Sequence, residues 1–369
     1  MPNGGGYGGE LVLHRYLDQD PMIEHEIFHI TKFPLRLKII GKLRQLGFKW
    51  LGGVLECLRP IYPDPKDIDQ RLLSFKPDLI LTVAHAWWHL AAVKAACRND
   101  LPLVTFFQDW WTDFEDVPKI CRGRVERIFM RTAMLSDKVI CISQGMIRQL
   151  GNLPNACLIH DLPSQVSVVP RSHQFDGKNE RPLKLVYFGN LGEYGPMMEA
   201  ALKLFEERSD IELHVFGPKP HWPSDVIDHY RNTERYHGSL PPDEMNTKIS
   251  EFDAILVTMS FNESLKKRMM TSFPSKLIEG VQHGLPIIVW GPSYCSAVDW
   301  ARRGDRAMMV TEPSAGALVE AIENTYSNGG FDLSSYAKGS REAAAEEFNP
   351  DEIRNQFRVE LVDVLKREK

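Results

Sequence analysis

The chain has 369 residues, 43% apolar and 25% charged, with a net charge of −5 and a pI near 6.2. That length exceeds the size at which one core keeps growing, so two domains are expected, and the composition is that of a folded rather than a disordered chain. The acidic balance argues against a general nucleic-acid binder, the six cysteines form no Cys-x-x-Cys pair suggesting a zinc site or disulfide framework, and no run reaches the roughly 20 apolar residues of a membrane span.

In chain order, glycines at 4, 5, 6, 8 and 9 precede a helical pattern over 10–17, and 23–30 reads as a strand. A glycine-rich turn ahead of a helix lets a backbone approach a ligand, but no strand precedes these glycines. Either translation starts inside a βαβ unit, or the true start lies upstream, or the glycines are a tail. The N-terminus has no apolar stretch of signal-peptide type, so reduced thiols and a cytoplasmic location are expected. Residues 32–49 hold Lys32, Arg36, Lys38, Lys42, Arg44 and Lys49 and no acid, interleaved with apolar residues up to Trp50. Two readings of 32–50 stand: an interfacial segment drawn to anionic headgroups, or a surface helix with a solvated basic face.

The pattern then becomes strand 76–83, helix 87–98 and strand 101–107, a βαβ unit with His85 and Gln108-Asp109-Trp110-Trp111 at its strand tips. Ligands of parallel sheets collect at the carboxyl ends of strands, which makes His85, Gln108 and Asp109 candidates for substrate contact. Helix 122–135, strand 138–143 and a helix from 144 follow. Between about 152 and 181 the pattern degrades into prolines and polar residues, apart from a short strand at 167–169. The expected division is a first domain over 1–165, a linker over 166–182, a second domain over 183–349 and a C-terminal helix over 350–369 that packs back toward the first domain.

The second domain opens with strand 183–188, a glycine-spaced loop at 189–195 and a helix from Pro196 to 208. Strands at 211–216, 235–238 and 254–257 follow, with a helix at 242–252. In the stretch 271–289, Thr271, Ser272 and Pro274 signal a helix start, Lys276 and Glu279 lie three apart on one face, Gly284 closes the helix, and a strand follows. Backbone amides at such a start suit an anion, although the same signal occurs for folding reasons alone. A strand at 307–310 and helices at 314–328 and from 350 onward complete the chain.

Several of these patterns occur together and in order: Lys-Pro-Asp-Leu-Ile at 76–80, Arg-Val-Glu-Arg to Ser-Asp-Lys-Val-Ile-Cys-Ile-Ser at 124–143, Leu-Val-Tyr-Phe-Gly-Asn-Leu at 185–191, and Phe-Pro-Ser-Lys-Leu-Ile-Glu-Gly-Val-Gln-His-Gly-Leu-Pro-Ile-Ile-Val at 273–289. In this the chain resembles the retaining glycosyltransferases of the GT-B fold, in particular the family 4-like group. The resemblance implies an α/β architecture of two Rossmann-like, doubly wound domains facing a central cleft. It implies that the first domain binds an acceptor, with Gly8, Gly9 and Gln108 on that side, and that the second binds a nucleotide sugar without an essential metal ion. Gly189, Asn190, Phe273, Pro274, Ser275, Lys276 and Glu279 would then hold the donor, Glu279 on the ribose hydroxyls and Lys276 on the diphosphate, with Asp109, His85 and Lys276 as the catalytic set.

The sequence departs from the family pattern at four places. Thr271 stands at the first glutamate of the Glu-x7-Glu pair, Asn190 and Tyr194-Gly195 stand where cations usually meet the diphosphate, and Gln108 replaces a common histidine. Lys276, with one of Lys266, Lys267 and Arg268, would have to supply the missing charge. The leading expectation is a transferase moving a hexose-type sugar to a glycan or lipid-linked acceptor, peripheral at the inner face of the cell membrane. The rivals are a degenerate sugar-nucleotide-binding or accessory protein of the same fold and a sugar-nucleotide epimerase.

Overall fold

The computed structural model describes residues 8–18, 20–28, 35–60, 62, 65–114, 117–163, 181–218, 220–304, 306–327 and 330–366. The chain divides into two compact units. One comprises Met1–His160, Met270–Phe273 and Ile353–Lys369; the other comprises Asp161–Met269 and Pro274–Glu352.

In the first unit, α1 (Gly8–Leu17), α2 (Leu35–Gln45), α3 (Lys49–Leu58) and α4 (Pro65–Phe75) precede an alternation of β1 (Ile80–Val83), α5 (His89–Asn99), β2 (Leu103–Phe107), α6 (Arg122–Leu135), β3 (Lys138–Cys141), α7 (Gln144–Gln149) and β4 (Ala156–Leu158). The four strands are parallel in the order β1-β2-β3-β4. Every residue of β2 is buried, as expected of a central strand covered on both faces. Phe107 meets Phe129 of α6 edge-on at 4.8 Å, and Trp87 meets Trp111 at 4.7 Å, so aromatic packing dominates this core.

Two expectations change here. Residues 23–28 form no strand, while 29 and 30 lie outside the described residues, as does the expected strand at 167–169. In place of sheet pairing, His25 pairs with Asp18 at 3.0 Å and Glu26 takes an ion pair from Arg71 of α4. The strand expected over 76–83 extends only from Ile80, because Lys76 adopts a left-handed conformation (φ 54°) that ends α4.

His89, at the start of α5, is fully buried against the Trp111 ring at 6.0 Å, and burial pushes its pKa down to about 4. The folded state holds this imidazole neutral while the unfolded chain protonates it near 6.5. Its contribution is therefore complete above pH 6.5 and falls as the pH drops from 6.5 toward 4. Urea unfolding is expected to show about 1 kcal/mol of loss from this group between pH 7.5 and 5.5. The pH slope should flatten by that amount in His89→Gln, and an unchanged slope would contradict the assignment.

The second unit carries β5 (Leu183–Phe188), α8 (Leu191–Glu206), β6 (Ile211–Phe216), α9 (Ser224–Asn232), α10 (Pro242–Ile249), β7 (Ala254–Thr258), α11 (Lys266–Thr271), α12 (Ser275–Val281), β8 (Ile287–Trp290), α13 (Ser296–Arg302), β9 (Met308–Val310), α14 (Ala315–Glu323), the antiparallel pair β10 (Tyr326–Ser327) and β11 (Gly330–Phe331), α15 (Ser334–Ala345) and α16 (Pro350–Lys366). The last residues of α11 and most of α16 group with the first unit. In that unit Phe357 of α16 packs on Tyr16 at 4.5 Å, and Arg358 donates to Asp20 at 2.9 Å.

The large sheet of this unit is parallel with the order β6-β5-β7-β8-β9, so the winding direction reverses between β5 and β7. Asp253 fastens its entrance: its carboxylate accepts from both terminal nitrogens of Arg181, at 2.7 and 2.6 Å, and from the Lys184 amide at 2.9 Å.

Local chemistry explains where this unit departs from expectation. Helix α8 starts at Leu191 rather than Pro196, because the Asn190 side chain caps it by accepting from the Gly192 amide at 2.9 Å. The expected strand at 235–238 is a single bridge, Val215 to Tyr236. Lys266, Lys267 and Arg268 lie on a helix fed by a short turn that Asn262 caps.

Candidate functional site

In the second unit three glycines stand just past the carboxyl ends of strands: Gly189 after β5, Gly217 after β6 and Gly291 after β8. A Cβ on Gly217 would lie 2.0 Å from the Gly189 carbonyl oxygen, and one on Gly291 would lie 2.6 Å from the Met259 Cβ. These approaches admit only glycine, and they pack the turns that follow the strands closely together into a floor beside the β5–β7 switch point, where parallel sheets of this kind take their ligands.

Lys276 borders that floor. Its Cγ lies 3.8 Å from the position a Gly189 Cβ would take, and its Nζ stands 5.3 Å from the Phe188 ring centroid. The local sequence aims it outward: Leu277, Ile278 and Val281 of α12 are buried, so Lys276 and Glu279 take the opposite face. Their charges lie 3.0 Å apart, with the lysine side chain 42% exposed and the carboxylate 13% exposed. The lysine end of the pair is open to solvent, so another anion can approach the ammonium without displacing packed side chains.

The neighbouring groups divide into those that serve the fold and those that face the floor. The Asn190 side chain is committed to the α8 cap, and its carbonyl accepts from the Tyr187 hydroxyl at 2.9 Å. Helix α12 has only seven residues, and Pro274 caps it without a side-chain hydrogen bond, so its end is a weaker anion site than the sequence suggests. Of the three cations on α11, Lys266 pairs with Glu263 at 3.4 Å and lies over the Tyr294 ring, whereas Arg268 reaches Glu193 in the first turn of α8 at 3.1 Å. Arg268 is thus the one of the two that reaches the helix following Gly189. Burial holds His283, below Glu279, down to about 4, so it is neutral at physiological pH.

The first unit assembles a second group of candidates at the carboxyl edge of its own sheet. His85 follows β1 and stands edge-on to Phe114 at 5.4 Å, while Gln108 and Asp109 follow β2. The Gln108 Nε2 is buried with no hydrogen-bond partner among the described residues, which is costly for an amide unless a ligand or water accepts from it. Gly8 and Gly9 begin α1.

Met270–Phe273, which belongs to this unit, runs across the ends of β2, β3 and β4. Ser272 donates to the Asp109 carboxylate at 2.5 Å, Ser143 donates to the Thr271 carbonyl, and Phe273 packs on His160 at 4.7 Å. Thr271 is fully buried there, and Phe273 is buried too, which gives their side chains packing roles. Ser143 and His160 were not singled out from the sequence, and Ser272 was read only as part of a helix-start signal. Only Ser143 left a local signal, as the cap of the helix after β3, where it accepts from the Met146 amide at 2.9 Å.

Residues 36–171 match the family model of Glycosyltransferase Family 4. Over both units the fold is that of GT-B glycosyltransferases. The chain has the GT-B fold, and its residues 36–171 are similar to Glycosyltransferase Family 4. Among solved structures, this GT-B chain is similar to the sucrose-phosphate synthase of Thermosynechococcus elongatus, with 15% identity over 96% of this chain and 88% of that one and a TM-score of 0.62. It is also similar to HepE of Anabaena solved with UDP-glucose, with 14% identity over 81% and 82% and a TM-score of 0.57. A putative UDP-N-acetylglucosamine 2-epimerase from Listeria monocytogenes overlaps less well, with 14% identity over 89% and 80% and a TM-score of 0.50. Likeness at such identities is one of fold. No curated protein sequence gives a significant match.

The arrangement keeps Lys276 and Glu279 side by side on one face of α12, and Thr271 is buried. Among the described residues no group of three or more His, Cys, Asp or Glu side chains could hold a metal ion.

Proposed function

We propose that the chain moves a hexose-type sugar from a nucleotide-diphosphate donor onto a glycan or lipid-linked acceptor, with retention, at the cytoplasmic face of a membrane. The observation that carries this reading is Lys276 and Glu279 set side by side on the exposed face of α12 next to Gly189, at the switch point of the second sheet. The lysine balances the charge that grows on the leaving diphosphate, and the carboxylate accepts from vicinal ribose hydroxyls. Arg268 supplies further positive charge near α8. The sugar at the transition state carries oxocarbenium character, and retention in one step requires the site to hold the acceptor hydroxyl on the same face of the sugar as the departing diphosphate. In the other unit, His85, Gln108 and Asp109 orient the sugar or the acceptor, the buried Gln108 amide being the donor with a hydrogen bond to give.

A second reading has its own support. Asp109 is held by Ser272, Thr271 is buried, and Asn190 serves as a cap, so three family positions do structural work. That pattern fits an accessory protein that binds sugar nucleotides without turning them over. Calorimetry with a panel of sugar nucleotides, followed by release of nucleoside diphosphate in the presence of membrane glycan extract, separates the two. Binding with acceptor-dependent release supports transfer, binding without release supports the accessory role, and a new sugar nucleotide formed without any acceptor would reveal an epimerase.

A further inference from the structure

The pair of helices α2 and α3 in the first unit exposes an unusual amount of apolar surface. Helices α2 and α3 form a hairpin turned by Leu46, Gly47 and Phe48, with Gly47 at φ 90°. Leu46 is 72% exposed, Phe48 57% and Trp50 64%. Leu51 and Leu58, two turns apart on α3, continue the exposed stripe to the far end of that helix. These five, with Ile39, make up six of the fifteen large exposed hydrophobic side chains among the described residues, within a span of twenty. A water-facing surface rarely gathers such a patch without a partner.

The charges around it name that partner. Lys38, Lys42 and Lys49 flank the hairpin, exposed and without an ion pair among the described residues, and the chain from 27 to 55 contains no acid. The first carboxylate after it, Glu56, is neutralised by Arg44 at 2.7 Å. In a protein whose net charge is −5, a positive collar around exposed aromatic and aliphatic side chains matches an anionic lipid surface, where the rings enter the headgroup boundary and the ammonium groups meet phosphates. Inside the hairpin, Ile40, Gly52, Gly53 and Cys57 are buried, so the helices pack on each other and leave the tip outward.

We infer that the α2–α3 hairpin is a membrane wedge that docks the first unit on anionic bilayers through Leu46, Phe48 and Trp50. This deepens the membrane part of the proposed function and does not depend on its donor chemistry. The test is flotation of the full chain with vesicles of phosphatidylcholine alone or with about 30% phosphatidylglycerol. The protein should float with the anionic vesicles, at least tenfold less with the neutral ones, and less in 0.5 M salt as screening shortens the attraction. The double variant Phe48→Ser, Trp50→Ser should lose flotation at any salt, Lys42→Glu, Lys49→Glu should lose the preference for anionic lipid, and Met134→Ser, altering an exposed apolar residue elsewhere, should behave as wild type. Circular dichroism and nucleotide calorimetry on the same variants separate a folding defect or a failed donor reading from a failed wedge. Flotation indifferent to both double variants would overturn the inference, as would light scattering showing a dimer that Phe48→Ser, Trp50→Ser dissolves.

Discussion

Lys276→Ala is expected to weaken binding of the protein's preferred nucleoside diphosphate by roughly 10- to 100-fold, since a charge-assisted hydrogen bond to phosphate is worth about 1.5–3 kcal/mol. The same substitution should lower stability by about 1 kcal/mol at most, because the lysine side chain is 42% exposed although its partner Glu279 is 13% exposed. The two outcomes together distinguish a ligand contact from a structural one. The variant also leaves Glu279 beside the diphosphate without its counter-charge, so the loss should exceed that of Lys276→Gln combined with Glu279→Gln. Calorimetry with the nucleoside and the diphosphate in parallel reads the effect: the diphosphate should lose affinity and the nucleoside should not. Equal affinities in wild type and variant would remove Lys276 from the donor site.

Gly145→Ala is expected to destabilise the first unit by about 2–4 kcal/mol, at the upper end of what overpacking costs. A Cβ at this position would stand 1.7 Å from the Met270 carbonyl oxygen and 2.9 Å from its carbonyl carbon. Backbone cannot rotate out of the way as a side chain can, so Met270–Phe273 must lift from the sheet edge. With it would go the bond from Ser143 to Thr271 and the one from Ser272 to Asp109. Urea unfolding measures the loss, and hydrogen exchange at 270–273 locates it. Faster exchange at those amides with unchanged protection in β2 and β3 is the expected result, and a variant as stable as wild type would mean that the segment does not rest on Gly145 as described.

How much of this was legible in the sequence depended on distance along the chain. The strands at 183–188 and 211–216 and the helix at 122–135 were readable at their observed bounds, because continuous apolar runs and helical spacing are local signals. Lys276 and Glu279 were readable for the same reason, being one helical turn apart. The start of α8 was misplaced because proline at a helix start is a strong habit, while the asparagine cap six residues earlier competes with it on equal terms. Residues 23–28 have apolar alternation but no strand to pair with among the described residues, and alternation without a partner does not make a strand. The role of Asp109 was hidden most completely, since its partner Ser272 lies 163 residues away and no pattern at either position announces the other. The burial of Thr271 belongs to the same class: its replacement of a glutamate is visible in the sequence, but that Ser143 binds its carbonyl is not.

The central claim is that the second unit recognises the diphosphate of a nucleotide sugar through Lys276 beside Gly189. Calorimetry of the full chain with UDP-glucose and a panel of other sugar nucleotides, each compared with its nucleoside and its diphosphate, tests it most directly. The account predicts that at least one sugar nucleotide binds, that most of its affinity resides in the diphosphate, and that Lys276→Ala removes that share. No binding to any member of the panel, or a diphosphate that binds no better than its nucleoside, would contradict it.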